Sequence, residues 1–262
     1  MTFNYASVAS GSCGNCHYVG SDGGSILIDA GLSGKRIENN LQSIGKDIKD
    51  VMAIFITHEH VDHIKGAGIL SRRYDIPIYA NEKTWISMKD KMGKMSENNV
   101  RLFENEKGVG IGDFRVKPFK IHHDAADPVG YSICSGDKKI SIATDTGHIC
   151  QDMKKELHGS SLVVLESNHD VEMLKMGSYP YHLKRRILSQ SGHLSNDDAA
   201  MFCVELAKEG VENILLAHLS RENNFPELAY QTAIGTLKMN GLDESVNIRV
   251  LKRQEASPVH SI

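Results

Sequence analysis

Four residues of the types that commonly bind metal ions stand close together, directly after an apolar segment. Residues 51–56 are apolar and include β-branched side chains, which predicts a short buried strand. His58, His60, Asp62 and His63 follow at its end. Buried imidazoles and carboxylates need partners, and four of them together favour a metal ion over a polar loop with incidental histidines. The fold must therefore hold this strand end rigidly and bring further ligands to it.

The further ligands must come from distant parts of the chain, because one segment supplies too few side chains for two metal ions. Suitable residues stand at the ends of other predicted strands, a position from which a rigid scaffold delivers ligands to one site. They are Asp29, His122 or His123, Asp145 and His218.

The rest of the chain predicts an α/β protein. Besides residues 51–56, strands are predicted over 3–9, 17–19, 26–29, 114–121, 129–134, 139–143, 162–165 and 214–217. Helical periodicity is found over 34–44, 64–74, 150–157, 181–190, 196–208 and 225–239. Ser195, with Asp198 three residues later, predicts a capped start for the helix at 196–208. Strands in both halves and helices between them predict one domain over residues 1–262, a sandwich of sheets flanked by helices.

Composition limits the classes of protein that are expected. A net charge of −3 does not indicate a nucleic-acid-binding protein, so any such role needs a local patch. We find no secretory signal and no apolar run of membrane length, which predicts a cytoplasmic protein without a membrane partner. The five cysteines, an odd set, agree with a reducing compartment. Cys13 and Cys16, in Cys-Gly-Asn-Cys, are predicted to form a tight turn rather than a redox pair.

Two basic groups are candidates for contact with phosphates. Solvated helix faces explain such residues equally well. The groups are Lys184, Arg185 and Arg186, and the more widely spaced Lys83, Lys89, Lys91 and Lys94.

The order of the candidate ligands resembles the metallo-β-lactamase superfamily. His58-x-His60-x-Asp62-His63 is preceded by Ile28-Asp29-Ala30-Gly31 and followed by Thr144-Asp145-Thr146-Gly147, and the similarity extends to His218. The resemblance implies a four-layer αββα sandwich with two divalent metal ions, and a His/Asp site suits Zn, Mn or Fe. Only residues 146–217 separate Asp145 from His218, so we expect no inserted β-CASP domain.

The resemblance also implies a role for each candidate. Asp29 would orient the ligand loop, as carboxylates beside ligating histidines usually do. His122 competes with His123, whose setting in His123-Asp124-Ala125 fits the superfamily better. The implied ligands are His58, His60 and His123 for one metal ion, Asp62, His63 and His218 for the other, and Asp145 as the bridge.

His193 and His218 stand in near-identical settings, Gly-His-Leu-Ser and Ala-His-Leu-Ser. His218 ends an apolar strand, whereas His193 precedes a predicted helix, so we assign His218 to a metal ion and His193 to the substrate. Glu166 resembles a glutamate that, in the phosphodiesterase branch, partners a histidine at the scissile phosphate. We therefore expect Asp62, His193 and Glu166 to take part in catalysis. The alternatives are that the two histidines exchange roles, or that His193 only packs at the helix start.

Within the superfamily the chain is most similar to the YycJ/WalJ subgroup. The subgroup implies a 5′→3′ exonuclease that acts on double-stranded DNA in DNA repair. Cys13 replaces the serine that is usual at that position. The matching segments are Ser10-Gly11-Ser12-Cys13-Gly14-Asn15, Glu166-Ser167-Asn168-His169-Asp170, Ser191-Gly192-His193-Leu194-Ser195-Asn196, and His218-Leu219-Ser220-Arg221-Glu222-Asn223-Asn224.

Other functions fit less well. A β-lactamase is disfavoured because Asp145 stands where that family typically has a cysteine. The main alternative is a small-molecule hydrolase of the glyoxalase II type, acting on a thioester, lactone or cyclic phosphodiester, although such enzymes lack the Glu166 and His193 segments. An iron redox module would need a flavin domain for which the chain has no room, so we expect no flavin or nucleotide cofactor.

Overall fold

Strands and helices follow one another along most of the chain. The computed structural model describes residues 2–105 and 107–262. The strands in these ranges are β1 Phe3–Ala9, β2 Cys16–Ser21, β3 Gly24–Ile28, β4 Val51–Phe55, β5 Ile78–Ala80, β6 Val100–Leu102, β7 Val109–Ile111, β8 Phe114–Lys120, β9 Val129–Ser135, β10 Lys138–Ala143, β11 Leu162–Glu166, β12 Asn213–Ala217, β13 Asn247–Val250 and β14 His260–Ser261. The helices are α1 Gly34–Ser43, α2 Val61–Ile64, α3 Ala67–Tyr74, α4 Glu82–Met92, α5 Gln151–Leu157, α6 Val171–Met176, α7 Tyr181–Ile187, α8 Asn196–Lys208 and α9 Pro226–Met239.

These strands form two mixed sheets. The first has the order β14-β1-β2-β3-β4-β5-β6, and the second has the order β13-β12-β11-β10-β9-β8-β7. Strands β3 to β6 run parallel in the first sheet, and β10 to β13 run parallel in the second. Parallel strands end at the same edge of a sheet, which is where α/β proteins usually place their functional residues. Each sheet therefore has one edge at which several strand ends lie side by side.

The central strands are apolar throughout because both faces of each sheet are covered. Along β4, Ala53 and Phe55 pack between the sheets, while Ile54 packs against the outer helices. Along β12, Leu215 and Ala217 pack between the sheets, and Leu216 joins the core formed with α8 and α9. This alternation, with a period of two residues, gives a helix–sheet–sheet–helix arrangement. The predicted αββα sandwich is confirmed.

Every strand predicted from the sequence has a counterpart, and the differences lie in short elements. Strands β5, β6 and β7 were not predicted because three residues are too few to show a period. Strands β13 and β14 and helices α4 and α6 were also missed. For α4 there was a signal, since Asn81 caps the helix by accepting a hydrogen bond from the Thr84 N–H at 2.9 Å.

The predicted helix over residues 64–74 is wrong as a single element. The Gly66 N–H donates to the Ala30 carbonyl at 2.7 Å, and the chain forms α2 before this point and α3 after it. A Cβ atom at Gly66 would lie 2.3 Å from the Leu32 carbonyl oxygen, so only glycine fits here. The predicted helix over 181–190 is also shorter, because α7 ends at Ile187. In the described part of the chain, no helix has the length and apolar character that crossing a membrane requires.

Candidate metal centre

The parallel strands of both sheets end at one polar cluster. Asp29 follows β3 and the segment from His58 to His63 lies just beyond β4, while Asp145, Glu166 and His218 come from the ends of β10, β11 and β12. Asp29, Asp145 and His218 have φ values of 62°, 58° and 56°. This left-handed conformation is unfavourable for residues other than glycine and is concentrated at functional sites. Three such residues beside one buried polar cluster therefore support a functional centre.

The structure brings the seven predicted ligands together. The ligand atoms of His58, His60 and His123 lie within 4.8 Å of one another, and the same holds for Asp62, His63 and His218. Asp145 forms a third such group with His58 and His63, so it lies between the two sets, and a fourth group joins it to Glu166, His193 and His218. Overlapping His/Asp clusters of this kind are typical of a dinuclear metal site.

Three of the buried imidazoles have one ring nitrogen held from outside the cluster. Nδ1 of His63 lies 2.7 Å from Asp29 Oδ2, and Nδ1 of His123 lies 3.0 Å from the Gly192 carbonyl oxygen. Nδ1 of His218 lies 2.7 Å from Glu166 Oε1. The Nε2 atom of each ring is then directed into the cluster, and this is how metal-ligating histidines are usually oriented.

Two atoms of the candidate ligands lack the partners that buried polar groups need. Asp145 Oδ2 and His218 Nε2 are buried and form no hydrogen bond within the described ranges. Two other candidate ligand atoms, Nε2 of His58 and Nδ1 of His60, lie 3.0 Å apart and have each other as partners. Burial lowers the pKa of His58 well below 6.5, so the ring is neutral, the form that binds metal ions. Unpartnered buried groups are costly, and divalent cations would satisfy them, so these residues fit a dinuclear site.

Glu166 holds two histidines rather than one. Its Oε1 lies 2.8 Å from Nδ1 of His193 and 2.7 Å from Nδ1 of His218, and its Oε2 accepts from the N–H groups of Thr146 and Leu194. Burial disfavours the charged carboxylate, but the attraction of His193 and the hydrogen bonds with both rings outweigh it and lower the pKa of Glu166 to about 2. The sequence predicted the contact with His193 and missed the contact with His218.

His122 lies outside the cluster. Its ring packs 4.3 Å from the ring of His148, centroid to centroid, whereas His123 lies among the candidate ligands. The geometry therefore favours His123 over His122. Cys13 and Cys16 are free thiols, and the Gly14 N–H donates to the Gly11 carbonyl at 2.9 Å, which closes the predicted turn.

Several residues at the centre were not singled out from the sequence. Asn15 Nδ2 lies 3.0 Å from His63 Nε2, and the Thr57 hydroxyl donates to Asp29 Oδ2 at 2.8 Å. Arg186 pairs with Asp124, which lies 3.3 Å from His123 Nε2. Asn15 belongs to the segment 10–15 and Arg186 to the basic group at 184–186, so both stood in segments already noted, but nothing in the sequence indicated what they contact.

One glycine is required by the contact between the ligand loop and the loop after β3. A Cβ atom at Gly31 would lie 1.6 Å from the Asp62 carbonyl oxygen, a distance that no side chain can have. The neighbouring Ala30 N–H donates to the His63 carbonyl at 2.8 Å. Ile28-Asp29-Ala30-Gly31 thus supplies both the carboxylate and the close backbone contact that fix the ligand loop.

Comparison with known proteins agrees with this geometry. Residues 12–178 match the family model of the metallo-beta-lactamase superfamily. The chain belongs to this superfamily. It is 44% identical to exodeoxyribonuclease YycJ of Bacillus anthracis over 241 residues, which cover 92% of this chain and 91% of that protein. It is 41% identical to exodeoxyribonuclease WalJ of Streptococcus pneumoniae over 250 residues, which cover 95% and 93%. The predicted membership of the YycJ/WalJ subgroup is confirmed, and the chain is a metal-dependent hydrolase.

A solved structure shows the same fold. The crystal structure of the metallo-beta-lactamase fold protein YhfI from Bacillus subtilis superimposes with a TM-score of 0.73 and covers 98% of this chain and 99% of its own. The two sequences are only 14% identical, so this similarity concerns the fold alone.

Proposed function

We propose that this chain is a 5′→3′ exonuclease that hydrolyses double-stranded DNA and acts in DNA repair. The observation that carries the proposal is the position of His193. Its Nδ1 is held by Glu166, while its side chain is 19% exposed beside the candidate metal centre. The relatives YycJ and WalJ are exodeoxyribonucleases by name. The direction of cleavage, the preference for duplex DNA and the link to repair come from the resemblance to their subgroup.

Each set of ligands would hold one metal ion. We assign His58, His60 and His123 to the first ion, with Asp145 between the sets. Asp62, His63 and His218 would hold the second. When bound, divalent ions make water a stronger nucleophile near neutral pH and offset the negative charge that develops on a phosphate. The chain's own contribution is the fixed orientation of these side chains by Asp29 and Glu166.

His193 would supply a proton to the leaving group. Hydrolysis adds water across a P–O bond: hydroxide adds to phosphorus, the bond to the 3′ oxygen breaks, and that oxygen takes up a proton. The ionised Glu166 lies 2.8 Å from Nδ1 of His193 and fixes the orientation of the ring, which leaves Nε2 for the substrate. The N-terminus of α8, capped by Ser195, favours an anion nearby. Proton donation of this kind contributes roughly 10²–10⁴-fold to the rate.

Basic side chains reach the site from two helices. Lys91 on α4 donates to the carbonyl oxygen of Glu59, within the ligand segment, at 3.2 Å. Arg186 on α7 pairs with Asp124, next to His123. Positive charge on two sides of the centre supports a polyanionic substrate, although the net charge of the chain is −3.

The test uses purified protein with Mn²⁺ or Zn²⁺ and four substrates: 5′-labelled duplex DNA, single-stranded DNA, RNA and a panel of thioesters. We expect degradation of the duplex from its 5′ end, with binding that weakens steeply as the salt concentration rises. Hydrolysis of thioesters without cleavage of any nucleic acid would contradict the proposal and favour the small-molecule alternative.

A further inference from the structure

One residue of the ligand segment, residues 58–63, has no use in the metal centre described so far. Glu59 stands between the candidate ligands His58 and His60, but among the described residues its carboxylate belongs to none of the candidate ligand groups. We propose that Glu59 is a positioning residue, which connects the ligand segment to the loop after β8 and so holds His123 in reach of the first metal ion. The inference rests on the proposed division of the ligands between two metal ions and is independent of the substrate.

The Glu59 carboxylate contacts the backbone of that loop. The loop comprises residues 121–128, and Glu59 Oε1 accepts a hydrogen bond from the Ala126 N–H at 2.9 Å. Within the described ranges, this is the one side-chain hydrogen bond that joins the ligand segment to the loop. Ala126 lies three residues beyond His123, so the contact acts on the short stretch that carries this ligand.

The two sets of ligands are held differently. The second set consists of Asp62 and His63, in the ligand segment itself, and of His218, directly after β12. The backbone at His63 is fixed by Ala30, whose N–H donates to the His63 carbonyl at 2.8 Å. The first set takes its third ligand, His123, from a loop, and a loop is less rigid than a strand end. Loss of the glutamate contact should therefore weaken the first metal position and leave the second in place.

Other contacts hold the two ends of the loop. Near its start, the His122 carbonyl accepts from the Gly147 N–H at 2.9 Å. Near its end, the Asp127 carbonyl accepts from Asn81 Nδ2 at 2.8 Å. Removal of the Glu59 carboxylate thus leaves the loop attached on both sides and loosens only the part between them. We therefore expect variants of this residue to fold.

The burial of the carboxylate shows that the contact has a cost. Glu59 Oε2 is buried and has no hydrogen-bond partner in the part of the chain that the structure describes. A buried polar oxygen without a partner is unfavourable and calls for an explanation. The Lys91 ammonium group donates to the carbonyl oxygen of Glu59 at 3.2 Å, so positive charge lies next to the residue and offsets part of this cost. A glutamate that served only solubility would have both oxygens in water.

The test uses two substitutions of Glu59 and one control. Glu59→Gln keeps an oxygen that can accept from the Ala126 N–H, whereas Glu59→Ala removes the acceptor. Asp90→Asn, which removes an exposed carboxylate from α4, is the control for the change in charge. Urea unfolding of the metal-free proteins shows that each variant is folded.

The first measurement is the hydrogen exchange of the Ala126 amide in metal-free protein, followed by NMR. In Glu59→Ala this amide should exchange roughly 10-fold faster than in the wild type, the value of one hydrogen bond. Glu59→Gln and Asp90→Asn should protect it as the wild type does. Equal protection in Glu59→Ala would overturn the inference, because the contact would then not hold the loop.

The second measurement is the occupancy of each metal position. Isothermal titration with Zn²⁺ gives the affinities, and anomalous scattering from crystals grown at limiting Zn²⁺ shows which position is filled. Glu59→Ala should bind the first ion roughly 10–100-fold more weakly, as for other groups that orient metal ligands, and should keep its affinity for the second. Glu59→Gln and Asp90→Asn should bind both ions as the wild type does.

The possible failures are distinguishable. A wild type with two ions and a Glu59→Ala variant that binds both equally well contradict the inference alone. An equal loss at both positions, or a loss in Glu59→Gln as large as that in Glu59→Ala, also overturns it. If the wild type binds a single ion, the proposed division of the ligands is wrong, and the inference that rests on it falls as well.

Discussion

The tripeptide His-Leu-Ser occurs twice in this chain, and its two copies serve different ends. Leu194 and Leu219 have the same structural role, since both are buried in the core beneath α8 and α9. The histidines differ. The side chain of His218 is 2% exposed and its φ is 56°, whereas that of His193 is 19% exposed. Both Nδ1 atoms nevertheless bind the same oxygen of Glu166.

The preceding element explains the difference. His218 follows β12 directly, so its ring enters the polar cluster. The backbone N–H of His218 donates to the Ser10 hydroxyl oxygen at 2.9 Å. His193 follows the turn after α7, and its N–H donates to the Ile187 carbonyl at 3.0 Å. The strand or turn before each histidine therefore sets how deeply its ring is buried, although both rings lie close to Asp145 and Glu166.

The largest expected effect comes from His193→Ala. The variant should keep its metal ions and its fold and lose roughly 10²–10⁴-fold in turnover, because the proton donor is removed. Single-turnover cleavage of duplex DNA at saturating metal measures it. His182→Ala, which removes an exposed histidine from α7, is the control and should retain activity. Normal turnover in His193→Ala would contradict the catalytic role and show that His193 only packs at the start of α8.

A substitution of Glu166 should affect His193 and His218 together, because both rings contact its carboxylate. Glu166→Gln removes the charge shared by the two Nδ1 atoms, so metal affinity should fall roughly 10–100-fold, as for other groups that orient ligating histidines. Isothermal titration with Mn²⁺ measures the affinity, and Glu172→Gln on the exposed face of α6 is the control. If affinity is unchanged, the hydrogen bond to His218 does not orient a ligand.

The serines of the two tripeptides, Ser195 and Ser220, should differ only slightly in their contribution to the free energy of unfolding. Ser195 caps α8 by accepting from the Asp198 N–H, so Ser195→Ala should lower the free energy of unfolding by about 1 kcal/mol. Ser220 accepts one hydrogen bond from the Asn223 N–H, and Ser220→Ala should cost roughly 0.5 kcal/mol. Urea unfolding of the metal-free variants gives both values. A larger loss in Ser220→Ala would reverse the ranking.

The sequence predicts the framework of the fold and the members of the candidate site. Long apolar strands such as β4 and β12 could be predicted because burial on both faces leaves a continuous apolar run. The ligand set followed from strand ends and from the resemblance. The break at Gly66 was missed because it depends on a contact with a distant residue, the Ala30 carbonyl. The three-residue strands were missed because they are too short to show a period.

The shared use of Glu166 could not be predicted either. A carboxylate next to one histidine in a motif gives no sign of a second ring arriving from β12. The pairing of Arg186 with Asp124 is likewise a contact between α7 and the loop after β8, and such contacts between distant segments leave no local pattern in the sequence. These are the features in which the candidate site differs most from its prediction.

The central claim is that His218 binds a metal ion and His193 does not. The metal content of His193→Ala and His218→Ala tests this claim most directly. Protein purified without chelator and reconstituted with excess Mn²⁺ or Zn²⁺ is analysed for metal by mass spectrometry. The account predicts about two equivalents in the wild type and in His193→Ala, and fewer in His218→Ala. Loss of metal from His193→Ala with full occupancy in His218→Ala would contradict it.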